Sequence, residues 1–576
     1  MTSKNYRLAD IPEKMPEGLT SFHPLVATLL HNRGVIEREE AERFLNPDWE
    51  RDTHDPFLLK DMDKAVSRIW TAMENDEYIL IYTDYDADGI PGGVILHDLF
   101  AKLGYTHVNN YMPHRHDEGY GLNADAIEEF AREGVRLIIT VDCGITDVAC
   151  VKRAHELSMD VIVTDHHLSG EELPPAYAVV DPKRADDAYP DDMLCGAGLA
   201  FKLAQAILIR GREKGAVSVS EGWEKWLLDM VGIATIADMV PLLKENRTLA
   251  HFGMKVLKKS GRPGLRALLA SAKASQEHLT EDDICFIIAP LINAAGRMEH
   301  PDIAFGLFAT PNRGEGERIA TYLEDLNTKR KALVARIAKE AHAMMRTREI
   351  GDVVVLGDPS WRVGVLGIAA NNLMEHYGKS VFLWGREGAE VIRGSARSDG
   401  TVNVVELMSA LPEGTLVESG GHALSGGFTV HFDAIHTFPD TVAAAYATLR
   451  REAQVEERMI DAVLSVDDIH NETYGHIARL APFGMGNPKP LFLFQNVILD
   501  DVVVFGKGKD HLKLVLHDIL GREIEAIAFF AGPDSFGEAS LVPGMRADIV
   551  ASIEESWFRN RPQLRLRVDD VRVKEK

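Results

Sequence analysis

Cysteine is scarce. Cys143, Cys150, Cys195 and Cys285 are the four in 576 residues, and no two form a C-x-x-C pair. That excludes a disulfide framework and a cysteine-built zinc knuckle, and predicts reduced thiols in a cytoplasm. No window approaches about 18 consecutive apolar residues, so no membrane-spanning helix is expected. The opening stretch Met-Thr-Ser-Lys-Asn-Tyr-Arg has no apolar signal core, and export is not expected. Fixed-period repeats and low-complexity tracts are missing too. Positive charge is in short supply: 63 Lys and Arg against 88 Asp and Glu leave a net charge of −25. That balance argues against broad duplex binding, because the phosphate backbone demands positive charge at the contact. A localised basic groove on an acidic body stays compatible with it. The stretch Arg559-Asn560-Arg561-Pro562-Gln563-Leu564-Arg565-Leu566-Arg567 is basic and alternates at strand period. Its arginines fit either such a groove or an exposed edge strand that resists aggregation.

What is present is ordinary in bulk: 45% apolar and 26% charged residues, as in soluble globular proteins. The length exceeds one core and predicts three or four domains. The informative feature is four short apolar runs that each end on an acid. Tyr78-Ile79-Leu80-Ile81-Tyr82 leads into Asp84-Tyr85-Asp86-Ala87-Asp88-Gly89, and Leu137-Ile138-Ile139-Thr140-Val141 into Asp142-Cys143-Gly144. Val161-Ile162-Val163-Thr164 leads into Asp165-His166-His167, and Ala178-Val179-Val180 into Asp181-Pro182. Such runs, separated by helical stretches, read as buried parallel strands. Ligands bind beyond the carboxyl ends of these strands. There, several carboxylates and imidazoles would share one crevice, and like charges so close need a cation.

Along the chain, residues 1–60 read as a helical lead-in. Residues 61–311 alternate strands with helices and predict a doubly wound parallel α/β sheet. Residues 312–348 form one long, polar helix that connects two domains, with Ile319, Leu326 and Leu333, and Leu323, Ile337 and Met344 with a skip at Arg330, in a seven-residue pattern. A second α/β unit occupies 349–457. From 458 to 576, short strands at 491–494, 501–505, 511–516 and 548–553 suggest a small barrel of oligonucleotide-binding type.

Asp84, Asp86 and Asp88 before Gly89 also resemble a calcium loop, but position 12 of an EF-hand would be Ile95 instead of Glu. Asp165-His166-His167 after a strand is sharper. Mixed carboxylate and imidazole ligation suits Mn²⁺, or Mg²⁺ where carboxylates dominate. Two carboxylate-bridged ions about 4 Å apart are a recurrent device for phosphoester hydrolysis. Arg115, Arg297 and Arg397 are candidate phosphate holders, and Gly420-Gly421-His422 with Ser425-Gly426-Gly427 is a candidate phosphate nest. Tyr120, Phe483, Phe505 and Trp557 are candidates for stacking bases.

These residues together resemble the DHH phosphoesterase superfamily. The wider pattern is similar to its RecJ branch of bacterial single-strand-DNA exonucleases. The similarity runs in order through His23-Pro24-Leu25, Glu118-Gly119-Tyr120-Gly121-Leu122, Leu194-Cys195-Gly196-Ala197-Gly198, Ile236-Ala237-Asp238-Met239-Val240-Pro241-Leu242, Asn293-Ala294-Ala295-Gly296-Arg297, Gly420-Gly421-His422 and Phe483-Gly484-Met485-Gly486-Asn487-Pro488. The resemblance implies a DHH domain, a connecting helix, a DHH-associated domain and an oligonucleotide-binding barrel. It implies 5′-to-3′ degradation of single-stranded DNA with two Mn²⁺ or Mg²⁺ ions, in repair and recombination. By motif match, Asp84, Asp86, Asp88, Asp142, His166 and Asp238 would be metal ligands. His167 would face the scissile phosphate, with Asp165 orienting its neighbours. Arg115, Ser395 and Arg397 would grip the 5′ end together with Gly420 and Gly421, and Arg297 and His422 would contact phosphates near the cut. A cytoplasmic monomer is expected, with single-strand binding protein and a helicase as partners and no membrane contact.

Three departures from the family pattern stand out. Ile90-Pro91-Gly92-Gly93 replaces an early Thr or Ser, Trp361-Arg362-Val363-Gly364 carries Arg where the family has His, and Ser425-Gly426-Gly427 replaces Ala-Ala-Gly. None touches a ligand position; they bear on phosphate gripping, rate and end preference. Two other readings compete: a phosphoesterase of oligoribonucleotides, cyclic dinucleotides or pyrophosphate, which the strand-rich tail disfavours, and a non-catalytic scaffold, which the full set of acids and histidines disfavours.

Overall fold

The computed structural model describes residues 5–574 apart from 11, 116, 348–350, 387–390, 453–456, 507, 538 and 559–560. It divides into two compact units. One holds 55–238 and 253–455, the other 3–54, 239–252 and 456–576.

The first unit contains two sheets. The N-terminal one is wholly parallel, in the order Val108–Tyr111, Tyr78–Thr83, Val135–Val141, Asp160–Thr164, Ala178–Val180. Its strands are the four apolar runs plus Val108–Tyr111, which is too short and polar (VNNY) to stand out in the sequence. One face carries Leu80, Tyr82, Ile138, Val161 and Val163 against Ile127, Phe130 and Val151 of the helices Ala124–Glu133 and Val148–Glu156. Helices Met62–Glu74, Gly89–Leu103 and Gly196–Glu213 pack together and against the strands as well. Numbered by chain, the strand order is 2-1-3-4-5, which places the switch of winding direction between Tyr78–Thr83 and Val135–Val141. Asp84 and Asp142 follow those two strands directly.

The second sheet is mixed, in the order Leu416–His422, Ser425–Val430, Ile392–Arg397, Val381–Gly385, Val354–Gly357. Only its last two strands are parallel; the others form antiparallel ladders. The hairpin changes the meaning of the glycine-rich segment. Ser425, Gly426 and Gly427 are paired on both sides, so their amides serve the ladder and are not a bare phosphate nest. Gly420, Gly421 and His422 form the exposed edge strand.

Between the sheets runs the helix Arg313–Arg346. Arg348, the expected end of this helix, lies outside the described residues. The buried stripe differs from the seven-residue pattern: Leu323, Val334 and Met345 recur at eleven, as do Leu326 and Ile337, while Leu333 and Met344 are only half-buried. A straight helix at 3.6 residues per turn drifts from a seven-residue repeat, and eleven residues close three turns more nearly.

In the second unit a seven-stranded sheet runs Ala462–Leu464, Phe492–Ile498, Arg546–Phe558, Arg561–Val573, Glu523–Ala528, His511–His517, Asp501–Phe505. The strand Arg561–Val573 pairs along its length with Arg546–Phe558 and, at Leu566 and Arg567, with Glu523–Ala528 on its other side, so it is an edge strand only in part. Arg565 Nε instead reaches Glu554 Oε1 across the ladder at 2.6 Å. Arg559 and Asn560 lie outside the described residues. Val26, Leu29 and Leu30 of the helix Pro24–Asn32 share a core with Phe492, Phe494, Leu514 and Ile549 of this sheet.

Candidate metal centre and anion site

Five strand or helix ends deliver the acidic site. Asp84 follows the first strand and its amide donates to Val141 O, continuing the ladder by one residue. Asp142 ends the next strand with φ of 63°, a left-handed backbone uncommon for a residue with a Cβ. Strain of this kind persists only where the surroundings fix it. Here Asp142 N donates to Thr164 O, holding the turn against the neighbouring strand. Asp238 terminates the helix Leu228–Ala237.

Asp88 is held from another direction. The amides of Gly196 and Ala197, at the start of the helix Gly196–Glu213, donate to its Oδ2 and Oδ1 at 2.6 and 2.7 Å. A helix N-terminus suits a carboxylate. Gly196 is there for space: a Cβ on it would stand 2.5 Å from Asp142 Cβ. Gly196→Ala therefore pushes Asp142 and the amides holding Asp88 apart without removing a ligand. Titration with Mn²⁺ is expected to show about 10- to 100-fold weaker binding, the usual cost of disturbing a ligand's support; unchanged affinity would contradict this packing account.

The side chains converge. Three groups each place one donor atom per residue within 4.8 Å of the others: Asp142 with His166 and His167, Asp88 with His166 and Asp238, and Asp84 with Asp86 and Asp142. Asp142 and His166 each belong to two of them. His166 Nε2 lies 3.1 Å from Asp142 Oδ1, 3.7 Å from Asp88 Oδ2 and 3.8 Å from Asp238 Oδ2. Even so, Asp84 Oδ1, Asp142 Oδ1 and His166 Nε2 are buried and aligned for no hydrogen bond with any described residue. Buried polar atoms are normally satisfied. Two carboxylate oxygens and an imidazole nitrogen left in this state, beside Asp86, Asp88 and Asp238, fit a pair of divalent cations, with oxygen and nitrogen donors of the kind Mn²⁺ and Mg²⁺ accept.

The proton affinities agree. Burial, then the charge of neighbouring aspartates, pushes Asp84 and Asp142 well above the carboxylate range. The same causes push Asp88 up to about 6 and Asp238 up to about 8. Burial, then His167, drives His166 down to about 3, leaving a neutral imidazole able to ligate.

Asp165 is not among the grouped donors. Its Oδ1 accepts the amides of His166 and His167 and lies 2.8 Å from His167 Nδ1, while its Oδ2 accepts Ile145 N. Burial alone would lower the His167 pKa, but the Asp165 hydrogen bond and charge outweigh it and raise it. The same contact holds Asp165 below its ordinary value despite burial. His167 is thus oriented with Nδ1 toward Asp165. Tyr120, expected as a base-stacking group, places its hydroxyl 3.1 Å from both His167 Nδ1 and Asp142 O. Asp181, the fourth strand-end acid, joins no donor group. It is fully buried, Oδ2 makes no hydrogen bond to a described residue, and burial followed by Asp165 pushes it up to about 7.

Beside the acids lies a cluster of guanidiniums. Arg115 sits 4.8 Å over the Tyr85 ring, and Arg297 Nη1 donates to Gly364 O at 3.4 Å. Arg397 Nη1 donates to Ser395 Oγ at 3.0 Å and packs where Gly367 has no side chain. Burial lowers the Arg297 pKa first, then repulsion from Arg115 and Arg330; burial and Arg115 lower that of Arg397. Guanidiniums stay charged through such shifts. Strand register puts Arg397, Ser425 and His422 in one row, and Ser395, Gly427 and Gly420 in the next, on the same sheet face. Phe483, Phe505 and Trp557 belong to the other unit; Phe483 packs against its core and Phe505 against His511.

Three family models match: the DHH family N-terminal domain over 78–235, the DHHA1 domain over 350–448 and the RecJ OB domain over 460–570. The chain is 36% identical to the single-stranded-DNA-specific exonuclease RecJ of Bacillus subtilis, over 96% of this chain and 68% of that protein. Its fold is similar to the crystal structure of RecJ from Thermus thermophilus with Mn²⁺ (TM-score 0.80, 26% identity, 99% of this chain, 80% of that one). The same holds for that protein with Mg²⁺ (TM-score 0.75, 25% identity, 99% and 79%). With those matches and the strand-end acids in place, the chain belongs to the RecJ family of single-stranded-DNA-specific exonucleases.

Proposed function

We propose that this chain degrades single-stranded DNA from the 5′ end by metal-dependent phosphodiester hydrolysis, with residues 61–311, 312–348 and 349–457 forming the nuclease and 458–576 an oligonucleotide-binding module. The observation that carries the reading is the overlap of three donor groups through Asp142 and His166, next to clustered guanidiniums. In this assignment Asp84, Asp86, Asp88, Asp142, His166 and Asp238 hold two Mn²⁺ or Mg²⁺ ions. Bound there, such ions supply an activated water and neutralise charge on the attacked phosphate and leaving oxygen.

The residues do the rest. Asp165 Oδ1 accepts a hydrogen bond from the Nδ1–H of His167, which leaves His167 Nε2 as the atom presented to the scissile phosphate. Arg297 and His422 neutralise phosphates beside the cut. Arg115, Ser395 and Arg397 hold the terminal phosphate, and Gly420 and Gly421 let the backbone come close. The anion site draws on both α/β sheets and on Arg297 of the helix Ala289–Met298, which suits a flexible strand better than a duplex about 20 Å wide. Stacking and phosphate tracking carry no sequence preference.

The test is digestion of end-labelled single strands carrying 5′ or 3′ blocks, with Mn²⁺, Mg²⁺ or chelator. Mononucleotides released from free 5′ ends alone support the reading; release from blocked 5′ ends, or faster turnover of dinucleotides than of long strands, refutes it. Arg397→Ala is expected to cost about 10- to 100-fold in preference for a 5′-phosphorylated end, the worth of one or two charge-assisted hydrogen bonds. Equal loss on 5′-hydroxyl and 5′-phosphate strands would remove Arg397 from the end pocket.

A further inference from the structure

The helix Arg313–Arg346 carries an arginine where its packing calls for an apolar residue. In the eleven-residue register of the buried stripe, position 330 falls between Ile319 and Ala341, which are 7% and 0% exposed. Arg330 is half-buried there and faces no carboxylate among the described residues. Its partner is Asn327, a buried side chain one turn earlier, whose Oδ1 accepts Arg330 Nε at 3.1 Å and Nη2 at 2.8 Å. Two of five guanidinium N–H donors are thereby used, and the fork is fixed in direction while the rest stay available.

Burying a cation without an acid costs stability, and burial accordingly lowers the Arg330 pKa. The helix Ala289–Met298, which carries Arg297, packs against this same helix. Arg330 is one of the two charges that repel Arg297 most. A cation kept at such cost beside another cation points to an anion that neutralises both.

We propose that Arg330, aimed by Asn327, binds a backbone phosphate of the single-stranded DNA together with Arg297, so that the connecting helix is part of the substrate site. This rests on the reading of the chain as a single-strand nuclease. Arg330 is here a binding residue and Asn327 a positioning residue.

The experiment uses the full-length protein and a fluorescein-labelled oligothymidylate in chelator, with dissociation constants measured by anisotropy at salt concentrations from about 50 to about 300 mM KCl. Arg330→Gln is expected to weaken binding about tenfold and to flatten the slope of log Kd against log salt by about 0.7, the value of one phosphate contact on a single strand. Its melting temperature is expected to hold or rise, because an unpaired buried charge has gone. Arg330→Lys should keep the slope yet lose affinity, since an ammonium cannot use the Asn327 fork. Asn327→Ala should weaken binding about threefold alone and add nothing on top of Arg330→Gln. A wild-type affinity and slope in Arg330→Gln overturns the proposal, as does a lowered melting temperature with unchanged binding, which would mark a structural arginine. Should Arg330→Gln misfold, Arg330→Lys decides: wild-type affinity in that variant also overturns it. Wild-type protein that neither binds nor cuts single strands would overturn the nuclease reading itself.

Discussion

Asp142→Asn is expected to slow cleavage of linear single-stranded DNA by about four orders of magnitude, close to ~5.5 kcal/mol of barrier. Asp142 is shared by two of the three donor groups, so its loss disturbs both halves of the centre at once. The fold should survive. The carboxyl group is buried among other acids that push its pKa up in the metal-free protein, and an amide of the same shape takes its place. Oligonucleotide affinity in chelator should match the wild type or exceed it, because no guanidinium is altered. Single-turnover digestion in saturating Mn²⁺, run beside a binding titration, checks both statements. Cleavage within tenfold of wild type would take Asp142 out of the centre, and lost binding with intact melting would make it a DNA contact.

The second large effect is the linkage of metal, pH and stability. In the metal-free protein burial and neighbouring aspartates push Asp88 up to about 6 and Asp238 up to about 8, and raise Asp84 and Asp142 well above the carboxylate range. These values lie above the unfolded carboxylate range near about 4. The folded chain therefore binds more protons than the unfolded one across this window. The sign follows: the cluster's contribution is fully present below about pH 4 and is lost as pH rises through about 6 and about 8. Cations compete with those protons, so Mn²⁺ affinity should fall as pH drops from about 8 to about 6. At roughly 1,000-fold excess over its dissociation constant the ion adds about 4 kcal/mol. The rise in melting temperature on adding about 1 mM Mn²⁺ is accordingly expected to be largest near pH 8 and to shrink toward about pH 6. A Mn²⁺ shift independent of pH would mean that the acids do not hold the ion.

Much of this site is legible from local pattern. Tyr78–Thr83, Val135–Val141, Asp160–Thr164 and Ala178–Val180 announce themselves as apolar runs because buried parallel strands need no polar face. Their terminal acids then fall at the carboxyl ends by chain direction alone. The strand Val108–Tyr111 is hidden because it lies at the edge and alternates polar groups. The hairpin of Gly420-Gly421-His422 and Ser425-Gly426-Gly427 reads as a nest because glycine marks loose backbone; cross-strand pairing, which no local pattern encodes, makes it a ladder.

Position 330 and the connecting helix show the same limit. The apolar spacing at seven gives a long helix that skips at Arg330, but the true drift of an α-helix decides which apolar residues turn inward, and only the fold brings Arg330 to Asn327 and Arg297. Asn327 carries no motif of its own, and the patterns that contain Gly196 and Asp181 do not say what those residues touch. Their importance arises from contacts with Arg330, Asp142 and Asp165.

From the order of residues alone come the four buried apolar strands, the acids at their ends, the expectation that no helix is long and apolar enough to cross a membrane, and the family. Those follow from covalent direction, period and residue chemistry, which are local. Which acids converge, which histidine stands among them and which is held by Asp165, and which arginines cluster around Arg297 were decided by the tertiary structure. Coulomb energy and desolvation depend on distances of a few ångströms between residues far apart in the chain, and only folding sets those distances.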